Sequence, residues 1–442
     1  MAESSGRVGA RARRRVALRL LPFVFLMYVI CYVDRANLSF ANLRMSADLG
    51  FSDRVYGLGS GIFFIGYVLF EIPGAIIVER WSARKWMARI MLTWGVVTIL
   101  TGFIRTAHQF YAARFLLGAA EASFFPGMIV YLTHWFRASD RGKAIASFYA
   151  AIPAASVAGS LVASWLLTVH WSAIAGWRWI FIVEGIPPII LGVVTLFYLT
   201  DRPQQARWLP EDERTWIMRE LDAELHAKKK GRQYTIWQAF RDKQVLLLIL
   251  PHFLAQVGAQ ATLFWIPTFL RRMSGLSGPQ VALWVGLPGF VGIAAMLVNG
   301  WHSDRSGERR WHTAVPLLFA GVVYLLVAIT HTFPAVIAML IVAGGWYAYY
   351  PPFWTMPATF LSESAAAACF GLINSVAHVG GFIGPSAVGY LNDWTKGMSA
   401  AFLFIGASYV LAGCVVPAIR IRTLQHNAAP VLLAGQELQE SS

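Results

Sequence analysis

Charge is what this chain has least of. Only 14% of its 442 residues are Asp, Glu, Lys or Arg, while 57% are hydrophobic and 14% aromatic. A soluble domain carries about 25% charged residues, so polar side chains are too few to cover a water-exposed globule of this length. A mean hydropathy of +0.53 agrees. Cysteine is scarce too. Cys31, Cys369 and Cys414 each lie inside an apolar run, which excludes a disulfide framework and reads as small buried hydrophobes. HExxH, CxxC and GxxxxGK[ST] are missing and the histidines are scattered, so neither metal chemistry nor ATP-driven transport is indicated, and no cofactor is expected. Acids are outnumbered 23 to 37 by bases, giving a net charge of +14. In a soluble protein that balance would suggest nucleic acid. Here the basic residues follow topology rather than one face, so no nucleic-acid partner is expected. A polytopic protein of the lipid bilayer remains.

About 20 apolar residues cross a hydrocarbon core as a helix. Twelve such runs are found, at 17–40, 55–79, 86–105, 109–136, 143–168, 177–199, 244–270, 279–300, 313–331, 334–361, 366–391 and 399–420. A membrane barrel would instead alternate apolar and polar residues along short strands, so the fold class is all-α. Arg11 to Arg19 followed by an apolar run resembles a signal peptide. The run is too long, no small-residue cleavage site follows, and Asp34-Arg35 stands near its far end; it reads as an uncleaved first span. The charged stretch 200–243, with Glu211, Asp212, Glu213, Arg214 and Lys228 to Lys230, divides the chain. The expected organisation is an N-terminal six-helix bundle over 1–199, a cytoplasmic central loop over 200–243, a C-terminal six-helix bundle over 244–421 and a cytoplasmic tail over 422–442. With both termini inside, 28 of the 37 basic residues fall in cytoplasmic segments and 7 outside, which supports that orientation. Arginine outnumbers lysine 30 to 7, which hints at a GC-rich genome and so at a bacterial inner membrane. A monomer is the default for such an architecture.

The two halves echo each other. Glu79-Arg80-Trp81-Ser82-Ala83-Arg84-Lys85 follows the second run, and Asp304-Arg305-Ser306-Gly307-Glu308-Arg309-Arg310 follows the eighth. Glu79 to Asp304, Arg84 to Arg309 and Gly159 to Gly384 share one offset, 225 residues. Three echoes at one offset indicate duplicated, pseudo-symmetric halves, a transporter architecture. An acid at a helix end beside a short basic loop can latch two helices, so Glu79, Arg80, Arg84, Asp304, Arg305 and Arg309 are candidate gating residues. The plainer alternative is a solvated positive-inside loop. Gly300-x-x-x-Asp304-Arg305-x-Gly307-x-Arg309-Arg310 resembles the signature loop of the major facilitator superfamily; the first copy departs from it at Glu79 and Ala83.

Four charges are read as lying well within spans of the first half: Asp34, Arg35, Arg114 and Glu121, which sum to zero. A charge at the bilayer centre costs about 2.5–3.5 kcal/mol on insertion scales, so such groups face a cavity and pair. Arg114 and Glu121 are two turns apart on one face, with Gly118 keeping that face narrow. Asp34 and Arg35, being adjacent, point about 100° apart. A purely structural charge network is the competing reading. In the second half, Gln256 and Gln260 lie four apart and can face a cavity. The run Trp346 to Trp354 is unusually aromatic, and Pro351-Pro352 should break its helix, freeing backbone groups that need a wet or protein-lined surround.

Several stretches resemble the anion:cation symporter family of that superfamily. They are Tyr28-x-x-x-Tyr32-Val33-Asp34-Arg35-Ala36-Asn37-Leu38, Gly66-Tyr67-x-x-Phe70-Glu71-x-Pro73, Arg114-Phe115-Leu116-Leu117-Gly118-Ala119-Ala120-Glu121-Ala122, Gly176-Trp177-Arg178-Trp179 and Gly371-Leu372-Ile373-Asn374-Ser375 with Gly380-Gly381-Phe382. The resemblance covers nearly the whole chain. It implies proton-coupled uptake of an organic anion such as a sugar acid, dicarboxylate or aromatic acid. It implies that Asp34 and Glu121 bind protons and that Arg35 holds the substrate carboxylate. It also implies that Tyr32, Tyr67, Trp354 and Asn374 line the site. The chain departs from the pattern at Ile152, where sugar-acid carriers can have glutamine, at Pro351, where they can have serine, and at His378, where asparagine is common. Two lost hydrogen-bonding groups favour a flatter, more apolar carboxylate. His378 is a candidate ligand or a packing residue.

The charges suggest a mechanism. Guanidinium matches carboxylate as a planar fork. Ionised Asp34 or Glu121 can neutralise Arg35; a proton on the acid frees Arg35 for the incoming anion, so proton and substrate favour each other. Two other functions compete. An exporter or antiporter of drugs or organic cations on the same fold needs uncompensated acid, which Arg35 and Arg114 oppose. A membrane-embedded enzyme could use Asp34 and Glu121 as an acid–base pair, but no nucleophile or cofactor motif accompanies them.

Overall fold

The computed structural model describes residues 2–169, 174–229, 243–357 and 363–419. Every regular element among them is helical. The first half contains α1 (Ala2–Leu49), α2 (Asp53–Arg80), α3 (Ala83–Thr101), α4 (Ala107–Glu121), α5 (Phe124–Thr133), α6 (Ala138–Tyr149), α7 (Ala151–Leu166), α8 (Gly176–Glu184) and α9 (Ile186–Tyr198). A charged helix, α10 (Glu211–Lys229), lies in the central stretch. The second half contains α11 (Lys243–Ser274), α12 (Gly278–Ser306), α13 (Arg310–Ile329), α14 (Phe333–Ala343), α15 (Tyr350–Thr355), α16 (Glu363–Thr395) and α17 (Ser399–Val415). The tail read as 422–442 lies outside the described residues.

The protein is a multi-pass membrane protein. Among the described residues, nine helical segments are long and apolar enough to cross a bilayer. The runs expected at 86–105, 143–168 and 366–391 are occupied by α3, by α6 with α7, and by α16. Arg84, Lys85 and Arg89 put three charges at the start of α3, and the run at 143–168 is broken into α6 and α7, of 12 and 16 residues, each shorter than a span.

Proline and backbone chemistry decide where the apolar runs break. The run expected at 109–136 is two helices, α4 and α5, separated by Ser123 at φ 68°. Pro126 accounts for this: its ring clashes with the carbonyl four residues back, that of Ala122, which is where α4 stops. In the aromatic run a 3-10 turn, Gly344–Tyr349, separates α14 from α15, and Pro351 and Pro352 sit in the first turn of α15. Pro352 has no N–H for the Ala348 carbonyl. The Asn299 amide donates to that oxygen instead at 2.7 Å. The break and the protein-lined surround match the expectation drawn from the two prolines.

α1 begins about fifteen residues before the expected apolar run. Its basic start is held by α10: Arg11 pairs with Asp212 at 2.8 Å and Arg15 with Glu213 at 3.0 Å. α10 also takes Arg137 on Glu220 at 2.8 Å and Arg141 on Glu224 at 2.9 Å. The central stretch is thus a strap across the basic ends of α1 and α6. The halves meet at the opposite end. There Arg272 of α11 grips Asp53 of α2 with two nitrogens, at 2.5 and 2.6 Å, and Asn42 donates to Thr268 at 2.9 Å.

α2 and α4 approach through glycine. A Cβ on Gly118 would lie 1.9 Å from the Phe63 carbonyl oxygen, and one on Gly66 would lie 2.3 Å from that of Phe115. Both obstacles are backbone, so neither can swing away. Gly118→Ala should therefore push α2 from α4 and cost on the order of 1–3 kcal/mol, as overpacking does. A lowered detergent Tm with lost uptake is the expected result; an unchanged Tm would show that the helices yield.

Candidate transport site

The site is built around Arg35, which is 4% exposed about two-thirds of the way along α1. Its Nε donates to Glu121 Oε2 at 3.0 Å. Glu121 is fully buried as the last residue of α4, against the proline-induced break. The rings of Tyr32, Phe63 and Tyr67 stand 5.2, 5.4 and 5.1 Å from the guanidinium carbon. The pair to Glu121 uses the inner nitrogen; neither terminal nitrogen of Arg35 makes a hydrogen bond to a described residue. Arg35 lines a cavity, so its terminal nitrogens remain for a planar anion while Glu121 competes only through the inner nitrogen.

That cavity bounds about 310 Å³ of empty space. Tyr28, Tyr32, Arg35, Tyr67, Phe125 and Tyr149 form the wall from the first half; His252, Gln256, Tyr350, Trp354, Asn374 and His378 form the wall from the second. All seven residues expected to line a substrate site therefore border one space. A second space of about 410 Å³ adjoins it, sharing Tyr32, Gln256 and Tyr350, and adds Gln260 and Ile152.

The other expected charges are placed differently. Asp34 points away from Arg35, as adjacency requires, and accepts from Thr98 of α3 at 2.8 Å and from Asn37 at 3.2 Å. Of the two acids expected to neutralise Arg35, Glu121 makes the contact and Asp34 does not. Arg114 is fully buried with its guanidinium over Phe63 at 4.8 Å, and makes no hydrogen bond to a described residue.

The expectation of four balanced charges is corrected. Glu71 and Glu184 are also buried in helices of the first half, 3% and 4% exposed, so the acids outnumber the bases there. In the sequence Glu71 stands out only as part of a family resemblance. It bridges the halves: Asn374 donates to one carboxyl oxygen and Ser375 to the other, each at 2.8 Å. The Asn374 amide also lies 3.2 Å from His378 Nε2, and the His378 ring packs on Tyr67 at 4.4 Å. His378 is thus both a cavity residue and a packed one. His252 was missed altogether, although it sits four residues before Gln256, as Gln260 sits four after. Extending that spacing one turn back would have found it.

The candidate gating loops are unequal. In the second half Arg309 pairs with Asp304 at 2.7 Å and reaches Ser303 at 2.9 Å, and Arg305 lies over Trp301 at 5.7 Å. In the first half the Glu79 side chain lies outside the described residues and Arg80 is exposed. There the acid comes from elsewhere: Asp201 accepts from the Arg84 N–H and from the Ser82 hydroxyl, both at 2.8 Å, and so caps α3. Glu308 does the same for α13. Partial burial opposes its charge, but the Trp311 N–H, the His312 ring and the N–H groups of His312 and Arg310 outweigh that and hold its carboxyl below the usual range. A depressed folded value stabilises above the unfolded value and is lost as pH falls through the folded one. Glu308→Ala should lower Tm at pH 7, and the gap to wild type should narrow as the pH is brought below about 4. A gap independent of pH would contradict the capping role.

A buried, charged cavity shared by two sequence halves, in a multi-pass helical protein, defines a secondary transporter of a small organic solute, not an enzyme. Residues 24–385 match the family model of the Major Facilitator Superfamily, and the chain belongs to that superfamily. It is 43% identical over 423 residues to a protein of Agrobacterium vitis named as a candidate tartrate transporter, covering 95% of this chain and 97% of that protein. It is 35% identical over 394 residues to a quinolone resistance transporter of Acinetobacter baumannii, covering 89% and 91%. Its fold is like that of the xylose transporter XylE from E. coli in a partially occluded inward open conformation, with a TM-score of 0.74 at 13% identity over 91% of this chain and 98% of that one.

Proposed function

We propose that this protein is a proton-coupled importer of a small organic carboxylate, of the anion:cation symporter type. It would work by alternating access between two six-helix halves, 1–199 and 244–421, joined by the cytoplasmic segment 200–243. The observation that carries this reading is the buried Arg35–Glu121 pair whose guanidinium fork is open to the cavity. With Glu121 ionised, Arg35 is neutralised; when Glu121 takes a proton, Arg35 presents its charge to a carboxylate. Asp34, held by Thr98 and Asn37, is the second proton-binding group, acting on the field of the site rather than on Arg35 directly. The charge excess on the loops supports cytoplasmic termini in a bacterial inner membrane, with the Asp53–Arg272 grip closing the outer face. The relative named for tartrate makes a dicarboxylate a natural first probe.

The test is tartrate-induced alkalinisation outside reconstituted vesicles, alongside a panel of organic acids. Verified uptake of an acid with no pH change would refute proton coupling. A second reading, export of drugs on the same fold, is favoured by the quinolone resistance relative. Transport blocked by lipophilic cations and indifferent to organic anions would select it.

A further inference from the structure

We infer that His252, with Gln256, forms a second anchoring point opposite Arg35, so that the site takes a short dicarboxylate bearing a hydroxyl group rather than a simple monocarboxylate or the flatter, more apolar carboxylate that Ile152 and Pro351 favour. This rests on the reading of Arg35 as a carboxylate clamp and deepens it. His252 is 1% exposed, lines the cavity and stacks on Phe353 with ring centroids 4.9 Å apart. Its Nδ1 lies 3.0 Å from the hydroxyl of Tyr349, itself fully buried. A phenol is a much stronger acid than a neutral imidazole N–H, so the phenol donates and the imidazole Nδ1 accepts. The ring proton then sits on Nε2, because the partner at one nitrogen sets the state of the other. Nε2 is buried and makes no hydrogen bond to a described residue.

One turn on, about 6 Å along the helix, Gln256 brings an amide oxygen that is also buried and makes no hydrogen bond to a described residue. The second wall of the cavity thus offers a donor and, a turn away, an acceptor. A buried polar group left unpaired is costly, and both of these border the same space as Arg35. A carboxylate oxygen satisfies the Nε2–H, and a hydroxyl satisfies the Gln256 oxygen. With a carboxylate on Arg35, the complementary molecule has two acidic ends and at least one hydroxyl. A monocarboxylate would leave the second wall unpaired.

Calorimetric titration of the purified full-length protein with L-tartrate, succinate and butyrate tests this. Wild type should bind tartrate at least about tenfold more tightly than butyrate, with succinate between, since a site built to hydrogen-bond rejects analogues that cannot. His252→Phe keeps the ring stack but loses both nitrogens; it should weaken tartrate about tenfold and leave butyrate unchanged. Gln256→Leu should remove the preference of tartrate over succinate. Tartrate affinity unchanged in His252→Phe, or an equal fall for all three acids, overturns the proposal, the latter marking His252 as structural. If Gln256→Leu alone is foldable, a retained tartrate preference over succinate overturns it equally. If wild type binds none of the acids while Arg35→Ala behaves the same, the carboxylate clamp itself has failed and this anchoring point falls with it.

Discussion

Arg35→Ala should abolish uptake and also weaken the fold, and the two losses should be separable. Removing one partner of a buried, hydrogen-bonded charge pair costs about 2–5 kcal/mol in binding, roughly 30- to 4,000-fold in affinity. The same change leaves Glu121, fully buried, without its cation. Stranding a buried charge costs about 3–5 kcal/mol of stability. The double variant Arg35→Ala/Glu121→Gln removes both charges, so it should recover most of the lost Tm and none of the transport. Arg35→Lys should keep the Tm and still fail in uptake, because a point charge cannot offer the planar fork that faces the cavity. Uptake at wild-type rates in either single variant would refute the clamp. Thermal unfolding and uptake on the same four proteins separate the outcomes.

Nine of the twelve expected spans are long and apolar enough among the described residues, and these are legible in the sequence because length and apolarity are local properties. Arg35 is legible because a charge inside an apolar run is rare enough to stand out, whereas Tyr32, Tyr67, Trp354 and Asn374 are legible only through the family resemblance. What the sequence hid were interruptions and partners. The break at Ser123 follows from Pro126, which was visible, but the run around it is so apolar that hydropathy alone carries a helix straight through. That break matters, since it ends α4 at Glu121. The strap by α10 on α1 and α6 depends on pairs about 80 to 200 residues apart, such as Arg11 with Asp212, which no local pattern announces.

Glu71 shows the same limit from another side. It lies within an apolar run like Glu121, yet no basic residue accompanies it nearby in sequence, and its partners Asn374 and Ser375 are 303 and 304 residues away. The internal repeat at offset 225 explains the general form of the protein but not this contact, which joins the halves asymmetrically. The loops after α2 and α12 diverge for a comparable reason. Glu308 caps α13 from within its own loop, whereas the acid that caps α3 in the first half is Asp201, drawn from the central stretch.

Glu121→Gln should uncouple the carrier without destroying its site. The amide is nearly the same size, and its oxygen can still accept from Arg35 Nε, so the 3.0 Å contact and the packing beneath Cys31 persist. What is lost is the ability to trade a negative charge for a proton. If a proton on Glu121 frees Arg35, wild type binds its anion more tightly as pH falls, by the 5- to 150-fold typical of coupled sites. Linkage makes this reciprocal: the anion must raise the proton's affinity by the same factor. In Glu121→Gln the guanidinium is never neutralised, so affinity should be high and vary less than about twofold between pH 5.5 and 8. Exchange of labelled for unlabelled solute should continue, because it needs only the clamp and the rocking of the halves. Accumulation driven by a pH gradient should cease. Asp34→Asn is the contrast: Asp34 bonds Thr98 and Asn37 and not Arg35, but its charge adjoins Glu121, so its removal should keep a pH dependence of binding while moving its midpoint. Gradient-driven accumulation by Glu121→Gln with a wild-type pH profile would mean that the proton travels by a route that does not pass the ion pair.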